Sequence, residues 1–423
     1  QMEINNKDKI IDYFSSGNKQ ESFIGVENEK FLMRKDDNNR VDYVDIKKIL
    51  ELFAKKYDWQ RIYEGPNIIG LSEKGKSITL EPGNQIELSG DKYQNIHSVC
   101  SESYDFQFKL KEICSILGFK TLAVGYDPFS NLEEVPSNPK KRYEIMRKEM
   151  PKNGKDSLNM MFQTSGTQIN MDYSSEKDFT KKFKVLSYLC PLSIAIFANS
   201  SIVENKKSGY LSYRSKVWQE TSRAGLPEVF LEEMDFEKYA DFFINLPLLF
   251  IKKEDSYFFS NGKTFKDLME GKIENQENLP SYKDLELHLS TVFTENRLKK
   301  YIEHRSIDAC EWDCHCAGPA FITGLIYGNL DKTLEIIDNW KKNDVLNAYF
   351  EAPKNGLKTL INNKSILDWS KIFFKISAEG LEKRNQLSKS GKNETIYLKN
   401  VEQIIREGKS KAEKTLEKKE YVK

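Results

Sequence analysis

Apolar residues recur every three or four positions through five long stretches of the chain, and every second position through four short ones. The wider spacing predicts helices over 44–59 (VDIKKILELFAKKYDW), 103–119, 176–199, 330–344 and 364–385, each with one apolar stripe. The spacing of two predicts strands in 23–31 (FIGVENEKF), 78–89 (ITLEPGNQIELS), 167–173 (TQINMDY) and 300–308 (KYIEHRSID). Successive strand side chains point to opposite faces, so each of these strands has two unlike sides. One side is apolar, with Ile78, Leu80, Ile86, Leu88, Ile169 and Met171. The other carries Glu27 and Glu29, then Glu81, Gln85 and Glu87, then Gln168, Asn170 and Asp172, then Tyr301, Glu303 and Arg305. Helices packed on the apolar side of an antiparallel sheet make an α+β fold. On the pattern alone, the glutamates could equally lie on separate, solvated strands.

The chain shows no fixed-period repeat and no long Gly, Ser or Pro linker, so one catalytic domain over 1–423 is expected, with both ends peripheral. Lys and Arg number 65 against 64 Asp and Glu, leaving no global field to favour nucleic acid or a membrane surface. The longest apolar runs, LCPLSIAIFA (189–198) and FFINLPLLFI (242–251), reach about half the ~20 residues of a membrane span and read as core. The opening QMEINNKDKIIDYF lacks the apolar stretch of a secretory leader. Six cysteines are too few for a disulfide scaffold, so a reducing cytoplasm is the expected compartment.

The unusual feature is five glutamates, Glu27, Glu29, Glu81, Glu87 and Glu303, with almost no lysine between them on their strand faces. Brought together, they would repel one another and oppose folding unless cations sat among them. Oxygen ligands of this kind suit Mg²⁺ or Mn²⁺ rather than zinc, and such ions bridge carboxylates to the phosphates of a nucleoside triphosphate. A rival signal lies just upstream. GLSEKGKS (70–77) satisfies the G-x-x-x-x-G-K-S phosphate-loop pattern, but that loop works only when a helix follows it. Here ITLEP follows, so SEKGK reads as a hairpin turn joining NIIGL to ITLEP. A second cluster, Cys310, Cys314, His315 and Cys316, admits a zinc reading but lacks the paired ligand spacing. Cys114 and Cys190 lie in apolar helical patterns and read as buried structural residues.

Longer motifs narrow the reading. IGVENEKF, TLEPGNQIELSG, MMFQTSGTQINMDYSSE, GYLSYRSKVWQET, KTFKDLMEGK and HLSTVFTENRLKKYIEHRSIDA occur in that order. Together they resemble the plant and alphaproteobacterial type of glutamate–cysteine ligase. The resemblance implies a glutamine-synthetase-like fold, an antiparallel sheet curved into a half-barrel with helices on its outer face. It also implies an ATP-dependent reaction through γ-glutamyl phosphate, with L-glutamate, L-cysteine and ATP as small-molecule substrates, Mg²⁺ (Mn²⁺ as a substitute), and a monomer or homodimer. Rival readings with the same residues are a relative using another amine acceptor and a catalytically silent binding protein. For a plant-like source the resemblance points to the plastid stroma.

By the same resemblance, Glu27, Glu29, Glu81, Glu87 and Glu303 correspond to metal ligands, with Gln168 a neutral ligand on the metal or nucleotide side. Arg305 is expected to meet the phosphates, Arg214 to hold a carboxylate of glutamate, and Arg223 and Asn170 to assist in substrate binding. Cys100 and Cys316 align with the partners of a redox-sensitive disulfide. The chain departs from the family pattern where QTSGTQIN replaces an RTCTVQVN-like run, putting Gln163 for arginine and Ser165 for cysteine. The loop after Trp218 is shorter, and NLPLLF (245–250) replaces a DVPMYF-like segment.

Overall fold

Nine strands join in one sheet whose neighbours all run antiparallel. They appear in the computed structural model of the chain, which describes residues 3–274, 276 and 278–423. In chain order they are β1 (Ile24–Arg34), β2 (Gln60–Glu64), β3 (Asn67–Glu73), β4 (Lys76–Leu80) and β5 (Ile86–Ser89). Then follow β6 (Phe119–Leu122), β7 (Gly166–Met171), β8 (Asn296–Leu298) and β9 (Ile302–Asp308). Their spatial order is β8-β9-β7-β1-β5-β4-β3-β2, with β6 paired to the far end of β1.

The segment 78–89, expected as one strand, is a hairpin. β4 ends at Leu80, the chain turns through Glu81 to Gln85, and β5 returns so that Thr79 faces Glu87 and Leu80 faces Ile86. Asn84 takes the left-handed conformation (φ 64°) that closes the turn. The phosphate-loop look-alike is a two-residue turn between β3 and β4, with φ positive at both Lys74 and Gly75, as a twist-matched hairpin requires.

The apolar faces pack as the alternation predicts. Ile24, Val26, Ile169, Met171 and Ile302 join one core with the helices Cys190–Ile196 and Ala317–Thr323, while Ile78, Leu80, Ile86 and Leu88 join a second under the helices Tyr43–Tyr57 and Ile96–Leu117. The run 189–198 is buried throughout, and 242–251 buries Phe243, Ile244, Leu248, Leu249 and Phe250; Cys114 and Cys190 are buried too. Two predicted helices are each split. The stretch 176–199 breaks after Tyr188, where Pro191, lacking an N–H, sits in the first turn of the next helix. The stretch 330–344 ends at Ile337, and a new helix starts at Lys342. Among the described residues no helix is long and apolar enough to cross a membrane.

His288 shows what this packing asks of a polar side chain. It lies between Phe243 and Phe265, with its Nε2 3.0 Å from the Phe243 carbonyl. Burial, aided by the Arg223 charge, pushes its pKa down to about 3. A depressed pKa gives stability that is whole above the unfolded value of 6.5 and is lost as pH falls towards 3. Denaturant midpoints should therefore drop between about pH 6.5 and 4, and His288→Gln should flatten that slope. An equally steep slope in the variant would assign the acid lability elsewhere.

Candidate active site

A cleft opens on the carboxylate face and is lined from Thr79 on β4 to Arg297 on β8. Five inter-strand steps separate those strands, about 24 Å in a flat sheet. A cleft that reaches both is wrapped by the sheet, and this gives the half-barrel its floor.

At one end of the cleft, strand pairing forces carboxylates together. Glu29 on β1 stands directly opposite Glu87 on β5, and Glu81 leans in from the turn. Carboxylate oxygens of the three lie within 4.8 Å of one another. Like charges facing across a sheet are destabilising, and burial adds to the effect. Burial, then Glu81, pushes Glu29 up to about 8 against the pull of Arg214 and Arg305. Burial, then Glu27, Glu81 and Glu29, lifts Glu87 well above the usual carboxylate range.

The turn bearing Glu81 is pinned from several sides. Buried Arg40, ion-paired to Asp127 at 3.0 Å, donates to the Gly83 carbonyl; Asn138 donates to the Glu81 carbonyl (2.7 Å) and Tyr143 to that of Leu80 (2.6 Å). Gln85, which the alternation placed beside Glu81 and Glu87, instead ties the turn to the carbonyls of Met161 and Thr164.

The other end is cationic. Glu303 is fully buried, bonded through Oε2 to the Arg297 guanidinium, with Lys299 Nζ 3.1 Å from Oε1. Burial alone would raise its pKa, but Arg297, Lys299 and Arg305 hold it far below the usual range. Glu303, expected as a metal ligand, has cations beside both oxygens, and its Oε1 makes no hydrogen bond among the described residues. Gln168 bridges the two ends: its Oε1 accepts from Arg305 Nη1 (3.1 Å) and its Nε2 donates to Glu29 (3.4 Å). Glu27 lies across from Gln168 between the two ends, its pKa raised by burial and then by Glu303.

The remaining predicted residues divide. Arg214 lies behind the cleft wall, stacked on Trp218 and pressed against Gly166, where a Cβ would stand 2.6 Å from Nη2. That Nη2 donates to the Arg305 carbonyl (2.8 Å), and Asp308 lies 3.8 Å from Nη1. Asp308 is anchored in turn by the Asn199 amide and the hydroxyls of Ser200 and Ser212. Asn170 sits two residues along β7 from Gln168, opposite Glu303, and its Oδ1 has no partner among the described residues. Arg223 does not join the site. Its guanidinium donates to the carbonyls of Thr291 and Pro247 and to Thr291 Oγ1, tying two loops together. Gln163 and the 248–250 segment are likewise structural: Gln163 bonds Tyr126 and the Ser130 carbonyl, and Leu248, Leu249 and Phe250 are core.

The expected Cys100–Cys316 pairing is not made. Both are buried free thiols, close enough for a Cys100–Cys316 hydrogen bond. The disulfide joins Cys310 to Cys314, whose Cα atoms are 6.0 Å apart, an ordinary span for such a bridge. With those two sulfurs joined and His315 Nε2 3.5 Å from Lys30 Nζ, the cluster offers no zinc-ligand set.

Reading the sequence missed Arg297, Lys299, Lys140, Arg142 and Trp218, all of which line the cleft. Arg297 had a signal: it faces Glu303 across the tight β8–β9 turn, and the period-two rule extends to NRL once that turn is seen. Lys140 and Arg142 begin a short helix, Lys141–Glu149, that carries no periodic mark of the cleft.

Comparison with known proteins agrees with this geometry. The family model for glutamate–cysteine ligase family 2 matches residues 23–423. The chloroplastic glutamate–cysteine ligase of Nicotiana tabacum is 38% identical over 419 residues, covering 97% of this chain and 79% of its own. Ligase B of Oryza sativa subsp. japonica is 38% identical over 418 residues, with 97% and 83% covered. Among solved structures, a glutamate–cysteine ligase from Francisella tularensis in complex with AMP superposes with a TM-score of 0.56 at 14% identity, over 95% of this chain and 85% of that one.

Proposed function

The chain belongs to glutamate–cysteine ligase family 2, and we propose that its carboxylate-lined cleft is where glutamate is activated and joined to cysteine. The enzyme uses ATP to link the γ-carboxylate of L-glutamate to the amine of L-cysteine, giving γ-glutamylcysteine, ADP and phosphate. This is the first step of glutathione biosynthesis. The observation that carries the site assignment is the segregation of charge, with Glu29, Glu81 and Glu87 at one end and Arg297, Lys299 and Arg305 at the other.

Five glutamates and five cations, Lys140, Arg142, Arg297, Lys299 and Arg305, line the cleft. A trio of oxygen donors whose ionisation burial opposes fits a hard divalent cation, so Glu29, Glu81 and Glu87 would hold Mg²⁺, or Mn²⁺ in its place, with Glu27 close by. When bound, Mg²⁺ supplies neutralisation of phosphate charge. Arg305, steadied by Gln168, takes the charge that moves from the transferred phosphoryl group to the leaving ADP. Arg214 takes a carboxylate of glutamate, and the free Oδ1 of Asn170 suits its ammonium group. Residues from Glu27 to Arg305 meet in one cleft, which supports one catalytic unit over 1–423. The chloroplastic names of the relatives support the plastid stroma for a plant-like source.

ADP release measured across a panel of amines tests the acceptor. Cysteine should saturate at the lowest concentration, and turnover indifferent to cysteine would overturn the assignment.

A further inference from the structure

Trp218 lines the cleft from the helix Tyr213–Gln219 and is 5% exposed. Its ring touches two guanidiniums: Arg214 Cζ lies 4.5 Å and Arg305 Cζ 5.2 Å from ring centroids of the indole. Three donor nitrogens in this small region are buried without a hydrogen-bond acceptor or a counter-ion of their own among the described residues: Trp218 Nε1, Arg305 Nε and Arg214 Nε. A buried donor left unpaired is costly, so three in one place, beside the cleft, point to an anionic acceptor. The side chains are held there by the fold. Arg214 is fixed by the Arg305 carbonyl, Gly166 and Asp308, and Arg305 by Gln168.

We propose that Trp218 is a substrate-binding residue whose Nε1–H donates to the carboxylate of glutamate that Arg214 holds, while its ring braces the two arginines. This rests on the assignment of Arg214 to glutamate made above. A carboxylate has about four acceptor sites, enough for the Arg214 edge and the indole N–H together. The ring, in contact with both guanidiniums, braces Arg214 for glutamate and Arg305 for the phosphates, so one residue touches both anion-binding groups. The carboxylate concerned is the one that is not phosphorylated, and its binding is the same in the ground and transition states. Loss of the donor therefore raises KM for glutamate and leaves kcat in place.

The test is Trp218→Phe, which keeps an aromatic face and removes the N–H. KM for glutamate should rise roughly ten- to a hundredfold, the range for a hydrogen bond to a charged group, with kcat and KM for ATP within about threefold. Because a smaller ring in this wall can unsettle folding, benzothienylalanine at position 218 provides the second arm. It preserves the bicyclic shape, lacks the donor, and should give the same rise in KM. Arg214→Lys is measured alongside. An unchanged KM for glutamate in both 218 variants, with Arg214→Lys impaired, overturns the role of Trp218 and leaves Arg214 in place. An unchanged KM in Arg214→Lys overturns the assignment of Arg214 as well. A fall in kcat with KM unmoved would also overturn the proposal, since the donor would then act in the transition state alone.

Discussion

Glu87→Gln is expected to lower kcat at least about a thousandfold while raising the melting temperature of the metal-free protein. The two effects have one cause. Glu87 is buried opposite Glu29 and beside Glu81, and burial with those charges pushes its pKa far up. At neutral pH its ionisation works against the fold, and glutamine keeps the shape while removing the charge. The same substitution leaves Glu29 and Glu81 as a two-carboxylate site, too weakly charged to gather Mg²⁺ and the nucleotide phosphates. Thermal melts with and without Mg²⁺ should show it: the wild-type melting temperature rises with added Mg²⁺ by the mass-action amount, and the variant's hardly moves. ADP release with glutamate and cysteine present supplies the rate. Turnover that survives with an unaltered Mg²⁺ requirement would remove Glu87 from the metal site.

Glu87 was legible in the sequence because it lies on a strand with clean alternation, and the same holds for Glu27, Glu29, Gln168 and Glu303. What alternation conveys is the face, not the path of the chain. It could not tell a strand with a bulge at Pro82–Gly83 from a hairpin, and only the hairpin brings Glu81 back to Glu29 and Glu87. Nor could it tell Gln85 from its neighbours. Gln85 lies in the turn, where the alternation of a strand no longer applies, and its amide goes to backbone carbonyls that would otherwise lack donors. Lys30 marks another limit. It shares the inner side of β1 with Val26 and Leu32, yet it is 1% exposed, and burial lowers its pKa to about 8. Arginine roles were the least legible. Arg214 lies within GYLSYRSKVWQET and Arg223 just after it, but one stands against the cleft wall with an unpaired Nε and the other is consumed by loop carbonyls. Which case applies depends on contacts from distant residues, Arg305 at 91 positions from Arg214 and Thr291 at 68 from Arg223, that no local pattern encodes.

Glu303 separates the two ways a carboxylate can serve this cleft, and Glu303→Ala should be the most damaging single change. Its oxygens neutralise Arg297 and Lys299, and the pair with Arg297 is buried on both sides. Removing one partner of a buried ion pair leaves the other charge without solvent or counter-ion, at a cost of about 3–5 kcal/mol. Arg297 would then turn towards the nearest remaining carboxylate, Glu27, which already feels its charge, and would draw that group out of the catalytic arrangement. Glutamate-dependent ATP turnover should vanish with that rearrangement. The double variant Arg297→Met, Glu303→Leu decides between the roles. If the pair is a structural counter-ion unit, the double variant should recover most of the stability lost in Glu303→Ala, since well-packed apolar residues replace buried ion pairs at little cost. It should remain inactive, because the cationic end then lacks Arg297 for the phosphates. Denaturant unfolding of the single and double variants, run beside ADP release, reads both quantities. Equal destabilisation of the two would show that Arg297 and Glu303 are not coupled, and turnover in Glu303→Ala would show that the cationic end works without its counter-ion.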